Sequence, residues 1–440
     1  MKQKVSTMTD DSDKRSGGLS RRHLLGAAGV GGAAGLALGV GGYALADDRT
    51  SARTSTRSGA KNGAPLTTLG AAAVPFHGAH QAGIVEPMQA TLHATAYDLT
   101  PGTGRPGLTA LMKRWSGAAA AMAEGHTPPG PTDGPTDGPT DDLTALDAGS
   151  SSLTVTFGFG ASLFAKAGLT AYQPTALAPL PAFPEDRIDR ARSDGDLWVQ
   201  VCADDPLVAF HATRTLQRLA AGQAVPRWQM NGFSRAPGAT AAPRTGRNLM
   251  GQIDGTNNPK PADADFTKRV FVPTAGDPAW MANGSYAVFR RIRMLLDPWD
   301  QQSRELQERV IGRRKDTGAP LSGGTETTPV DLTKQNADGS LAIPGDAHIR
   351  VAAPASNQGA AMLRRGYSYQ DGFRPDGAPD AGLLFVCFQA DPMAGFVPVQ
   401  RKLARGDALS RFVVHESSGL YALPGGASPG GYVGQALLES

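Results

Sequence analysis

The sequence predicts an α+β fold, and three observations lead there. The chain has 440 residues and is 40% hydrophobic, enough for a packed interior and too long for one ordinary core. Short β-branched and aromatic segments alternate with helical patterns. An apolar strand closing on Asp-Pro also occurs twice. Gly195-Asp196-Leu197 through Asp205-Pro206 aligns without a gap with Ala381-Gly382-Leu383 through Asp391-Pro392, 186 positions later. A duplicated α+β half, each with one sheet and helices on a face, explains that spacing; coincidence between two ordinary strands is the alternative.

Thr91–Tyr97 and Leu153–Phe159 read as strands because they are β-branched and aromatic with partial alternation. Leu197–Ala203 and Leu383–Gln389 are short, nearly continuous apolar runs, the signature of buried strands. Phe412-Val413-Val414 is strand-like as well. Helical patterns cover Leu108–Ala123, Pro206–Ala221 and Gln301–Ile311, and Asp204-Asp205 before Pro206 is a helix start signal.

The formal charge of +3 belongs to the first 46 residues, where six Lys and Arg stand against three Asp. The rest is formally neutral, so the charge gives no reason to expect nucleic acid or an anionic membrane surface as partner. Ser20-Arg21-Arg22-His23-Leu24-Leu25 leads into an uncharged, Gly- and Ala-rich stretch that ends at Ala44-Leu45-Ala46. That order predicts a cleaved secretory signal over residues 1–46. Its paired arginines and weak hydrophobicity resemble the twin-arginine type, whose export machinery carries folded proteins. Residues 47–63 read as a flexible linker, and the expected protein is extracytoplasmic without a permanent membrane anchor. The remaining organisation is expected as an N-terminal half over 64–240 and a C-terminal half over 241–440. Three GPTD copies within 127–142 make an exposed spacer loop, since Pro and Asp at that density hold neither helix nor strand.

Several chemistries lose their signatures. Two cysteines cannot build a disulfide framework or a four-thiolate site; Cys202 and Cys387, in apolar strands, read as buried small hydrophobes. No histidine pair has zinc spacing, and His77 and His80 have no carboxylate or cysteine beside them. G-x-S-x-G at a strand–helix turn and the P-loop are absent. Two segments combine unusual residue types. Arg247 to Pro259 places Asp254 in a Gly-rich loop, where a carboxylate is open to proton transfer. Ala347 to Tyr369 offers His348, Arg350, Arg364, Arg365, Tyr367 and Tyr369. Alone, each is also compatible with turn chemistry or surface charge.

In the order GxxDG, HIR, LRRGYSY, the two segments resemble the dye-decolorizing peroxidases. LTVTFGFGASLF, DLWVQVCADDP, RRIRMLLDPWD and GLLFVCFQADP resemble the same family, and the likeness runs from about Thr67 to the C terminus. It implies two ferredoxin-like halves with antiparallel sheets, in the manner of a dimeric α–β barrel, with haem b, one per chain, held mainly by the C-terminal half. His348 corresponds to the proximal ligand of the haem iron. Asp254 and Arg364 correspond to the distal acid–base and the distal cation. Arg350 is expected to pair with a haem propionate, and Leu383 and Phe385 to form an apolar distal wall. Arg365 is expected to be structural. For the carboxylate that orients His348 the candidates are Asp391 and Glu416.

The implied function is a secreted haem peroxidase that uses hydrogen peroxide to oxidise dyes, phenols or other one-electron donors. Bulky donors would be oxidised at surface rings, with Trp115, Trp198, Trp228, Trp280, Trp299, Tyr367, Tyr369 and Tyr421 as candidate relays. The alternatives are a haem-binding, deferrochelatase-type protein of iron uptake and a maturation partner of another secreted redox enzyme. No oligomeric state is read from the sequence.

Overall fold

Eight strands close into one antiparallel barrel. The computed structural model describes residues 72–128, 142–237, 239–240, 244–276 and 278–440. The expected signal, the linker and most of the GPTD run lie outside them.

The strands are β1 (Thr91–Leu99), β2 (Thr154–Gly160), β3 (Leu197–Ala203), β4 (Ala224–Phe233), β5 (Ser285–Met294), β6 (Leu363–Phe373), β7 (Pro379–Gln389) and β8 (Val413–Leu423). Around the barrel they run β1-β3-β2-β8-β5-β7-β6-β4. Within each run of four, the order is fourth, first, third, second. β3 and β7, which carry the repeated strand–Asp-Pro pattern, are both third strands. Topology therefore settles the repeat in favour of duplication, and the α+β fold of two ferredoxin-like halves is borne out. The halves meet at two short seams: Phe159 and Gly160 of β2 pair with Ala422 and Tyr421 of β8, and Phe233 of β4 pairs with Ser368 of β6. Closure is the physical gain, since an open sheet would leave unpaired strand edges.

Alternation then sorts side chains into two environments. The lumen takes Leu92, Ala94 and Ala96 of β1, Trp198 and Cys202 of β3, Phe289 of β5, Tyr367 and Tyr369 of β6, and Leu384, Val386 and Phe388 of β7. Rings fill it: Trp198 stacks on Tyr421 at 5.5 Å and Trp228 on Phe289 at 5.0 Å, pairs worth about 0.5–1.5 kcal/mol each beyond their burial. Gly158 is required beside them. A Cβ there would lie 2.9 Å from the Tyr421 Cβ and 3.3 Å from the Trp198 ring.

On the outer face of the N-terminal half, α1 (Gly104–Ala123) and α2 (Pro206–Leu219) bury their apolar sides. α2 starts as its sequence signals: Pro206 occupies the first turn and the Asp205 side chain accepts from the Leu207 N–H at 2.7 Å. Trp115 of α1 is fully buried, stacks on Phe157, and donates Nε1–H to the Leu216 carbonyl at 2.8 Å. The outer face of the C-terminal half carries α3 (Arg304–Ile311), α4 (His348–Val351) and α5 (Phe396–Gly406).

β5 escaped the sequence reading as a strand because Arg290, Arg291 and Arg293 look like surface charge. Arg290 and Arg291 are in fact buried. Arg291 lies 3.6 Å over the Tyr369 ring and is bound by Asp371 at 2.6 Å and Asp380 at 2.7 Å. A guanidinium can enter a core when carboxylates from neighbouring strands enter with it.

Candidate active site

The outer face of β5, β7 and β6 is the floor on which the site is built. Direct pairing puts Arg364 beside Cys387 and Gly366 beside Phe385, so these side chains share the outer face. Leu383 and Phe385 also point outward, half-buried, while Leu384 and Val386 fill the lumen. The two residues expected to form an apolar wall thus lie on one face of β7. Leu383 packs with a cluster that includes Met250, Met294, Trp299, Ile311 and Phe412. Phe385 lies against Phe396 of α5, ring centres 6.3 Å apart.

Adjacent arginines on β6 part company at this sheet. Arg364 goes outward to the site. Arg365 goes into the lumen, fully supporting the structural reading: it donates to the Glu86 carbonyl and, at 2.6 Å, to Gln89 Oε1. It thereby holds the segment that lines one side of a cleft of about 370 Å³, whose other walls include Gly255, Asn258, Glu326 and Arg364.

Asp254 arrives on a loop pinned at both ends. Arg247 bridges Ile253, and the Asp254 N–H donates to the Gly246 carbonyl at 3.0 Å. Gly255 has φ +106°, a backbone conformation side chains resist, which is why glycine follows the aspartate. The Asp254 carboxylate sits 3.7 Å from Arg364 Nη1 and accepts from Asn248 Nδ2 at 3.3 Å. The structure therefore joins the two residues that stand 110 positions apart in the sequence.

His348 opens α4. The α3 helix ends at Gly312, φ +93°, where a Cβ would come within 2.6 Å of Ile349; only glycine lets α3 approach α4 so closely. The His348 Nδ1 lies 2.6 Å from Asp407 Oδ2. Asp407 follows α5, and its other oxygen accepts from the Leu409 N–H at 2.9 Å. The orienting carboxylate is Asp407, which corrects the expectation of Asp391 or Glu416. Asp391 accepts from the Met393 N–H, and Glu416 is taken by Arg291, Arg293 and Arg374. The sequence signal for Asp407 was weak: Gly406-Asp407 reads as the turn after a helix, and only the fold brings it 59 residues back to His348.

Burial lowers the proton affinity of the His348 imidazole, but the Asp407 carboxylate outweighs burial and leaves its pKa raised. Asp254 adds in the same direction and Arg364 opposes it, so His348 lies within electrostatic reach of both. Its Nε2 has no hydrogen bond among the described residues. An imidazole with one nitrogen fixed by a carboxylate and the other available is the donor that haem iron takes, and the apolar wall of Leu383 and Phe385 suits a porphyrin face. The residues present fit the group.

Arg350 is placed differently from its neighbours. Its Nε and Nη2 donate to the carbonyls of Leu332, Ile343 and Pro344 at 2.7–3.1 Å, so it clamps the loop before α4. All eight candidate relay rings are buried, none more than 7% exposed. That corrects the expectation of surface relays at these positions: the rings were drawn into the cores by their size.

An imidazole fixed by a carboxylate, in reach of a second carboxylate and a cation, is an arrangement suited to the class of haem-dependent peroxidases. Comparison with known proteins names the family within it. The Dyp-type peroxidase N-terminal model matches residues 81–234 and the C-terminal model residues 245–428. A dye-decolorizing peroxidase of Thermobifida fusca is 41% identical over 98% of this chain and 100% of its own. A deferrochelatase of Yersinia pseudotuberculosis is 36% identical over 83% of this chain and 85% of its own. Ferric DtpA from Streptomyces lividans, at 59% identity, superposes with a TM-score of 0.81 over 86% of this chain and 100% of that one. The chain belongs to the Dyp-type peroxidase family. It is a haem-dependent peroxidase.

Proposed function

We propose that the protein is a secreted peroxidase that reduces hydrogen peroxide at one haem b per chain, bound through His348 Nε2, and oxidises dyes, phenols or similar one-electron donors. The observation that carries this reading is the 3.7 Å approach of Asp254 to Arg364 in electrostatic reach of His348. Haem, when bound, supplies the two electrons that break the O–O bond. Asp254 accepts the proton of one peroxide oxygen and delivers it to the other, which departs as water. Arg364 stabilises the negative charge that develops on the departing oxygen. Leu383 and Phe385 keep water from the reacting face. Asp407 holds the His348 ring through Nδ1, which leaves Nε2 as the nitrogen that would bind the iron. The cleft of about 370 Å³ beside Arg364 and Gly255 has room for a molecule of peroxide. Arg350 keeps the loop before α4 in place, and its Nη1, without a hydrogen bond among the described residues, is available to a propionate.

The export reading rests on the ordered basic, apolar and A-x-A segments of residues 1–46. Mature protein recovered outside the cytoplasm should begin at Asp47, and replacing Arg21 and Arg22 by Lys should retain it inside. Mature protein starting elsewhere in the folded region would refute the signal assignment.

The peroxidase reading is tested by mixing the haem-loaded protein with one equivalent of hydrogen peroxide. The resting Soret band should change within seconds and return when a phenol is added. A second reading, removal of iron from haem, is favoured by the deferrochelatase relatives. Iron-free porphyrin accumulating under reducing conditions without peroxide would select it.

A further inference from the structure

Among the described residues, no strand pairs with the far edge of β6 where Arg364 lies. On one side Arg364 pairs with Cys387 of β7, but on the other β6 meets β4 only at Ser368. The side chain of Asn258 takes the place of the absent strand. Its Nδ2 donates to the Arg364 carbonyl at 2.8 Å, and its Oδ1 accepts from the Arg364 N–H at 2.8 Å. One carboxamide thus makes the donor and acceptor pair that a neighbouring strand residue would exchange. Asn258 stands four residues after Asp254 on the same turn, which its own N–H closes on the Gly255 carbonyl at 3.2 Å. Thr256 anchors that turn from beside, donating to Glu326 at 2.9 Å.

One loop therefore carries the acid and grips the main chain of the cation. The Arg364 guanidinium makes no hydrogen bond among the described residues, so the course of its main chain decides where it stands. We infer that Asn258 is a positioning residue for the peroxide step, fixing the separation of Arg364 from Asp254 by locking the open edge of β6 to the Asp254 loop. The inference rests on the role given to Arg364 above. Misplacing a reacting group by about 1 Å is enough to cost up to about a hundredfold in rate.

The test uses haem-loaded wild type, Asn258→Ala, Asn258→Asp, Arg364→Ala and the Asn258→Ala/Arg364→Ala double variant. Asn258→Ala should lower the second-order rate with peroxide roughly 10- to 100-fold, while turnover limited by the reducing substrate stays unchanged. Affinity for fluoride, an anion that a placed guanidinium favours at the haem, should fall alongside the rate. Hydrogen exchange at the Arg364 amide should accelerate in the haem-free protein too. Asn258→Asp keeps the acceptor for the Arg364 N–H and should lie between, which guards against a folding failure of the alanine variant. The double variant should be no slower than Arg364→Ala. If Asn258→Ala reacts at the wild-type rate while Arg364→Ala is slowed, or if the two defects multiply, the positioning role is overturned. If Arg364→Ala itself reacts normally, the fault lies in the role assigned to Arg364.

Discussion

The His348 Nδ1 and the Asp407 carboxylate meet at 2.6 Å, and the same carboxylate caps the backbone after α5 at Leu409. One side chain thereby fixes both the orientation of the proposed ligand and the turn it hangs from. Asp407→Asn keeps the shape and one acceptor but removes the charge. Haem should still bind, with affinity reduced roughly 10- to 100-fold and a more positive reduction potential. Haem transfer to an apoglobin and a redox titration measure both. A potential equal to that of wild type would show that the carboxylate does not act on the iron through His348.

His348→Ala should be isolated without a Soret band yet folded, because His348 is half-buried on a four-residue helix. Free imidazole added during haem loading should restore the band in part. Normal haem content without imidazole would sink the ligand assignment.

Asp254→Asn and Arg364→Ala should each keep haem and react with peroxide about 100- to 1000-fold more slowly. Stopped-flow mixing reads this directly. Because the two act on one step, their combined loss should be less than the product of the single losses.

Acid should destabilise the fold well above the range where carboxylates titrate. Burial holds His415 down to about 3, with Arg290 adding to it, and burial holds His93 down to about 4. Unfolded, each takes a proton near pH 6.5, so between 6.5 and the folded value the unfolded chain binds more protons. Stability then falls as pH falls through that window, by up to about 1.4 kcal/mol per pH unit for each histidine. Thermal unfolding of His415→Gln between pH 7 and 4 should show a shallower slope than wild type. An unchanged slope would mean that His415 is not buried neutral.

Trp115→Ala removes a stacked ring and a hydrogen bond from the N-terminal half alone. The expected loss is about 3–5 kcal/mol in denaturant unfolding, with the spectrum of bound haem unaltered in the protein that remains folded.

The sequence alone determined a good deal. Residue type and apolar patterning located β1, β2, β3, most of β7, and α1 and α2, because the residues that are buried in each element lie together in one short stretch of sequence. The Asp-Pro repeat announced two related halves. The ordered motifs, through their family resemblance, singled out Asp254, His348 and Arg364. Tertiary structure decided the rest. Arg290 and Arg291 enter the interior only because carboxylates from distant segments meet them there. Arg364 and Arg365, neighbours in sequence, go to opposite environments because a strand alternates and the barrel gives its two faces different surroundings. Asp407 and Asn258 carry no signal of their own, each an ordinary polar residue at a turn. They gain their roles by contacts spanning 59 and 106 positions, and a sequence read along its own length registers nothing at that range.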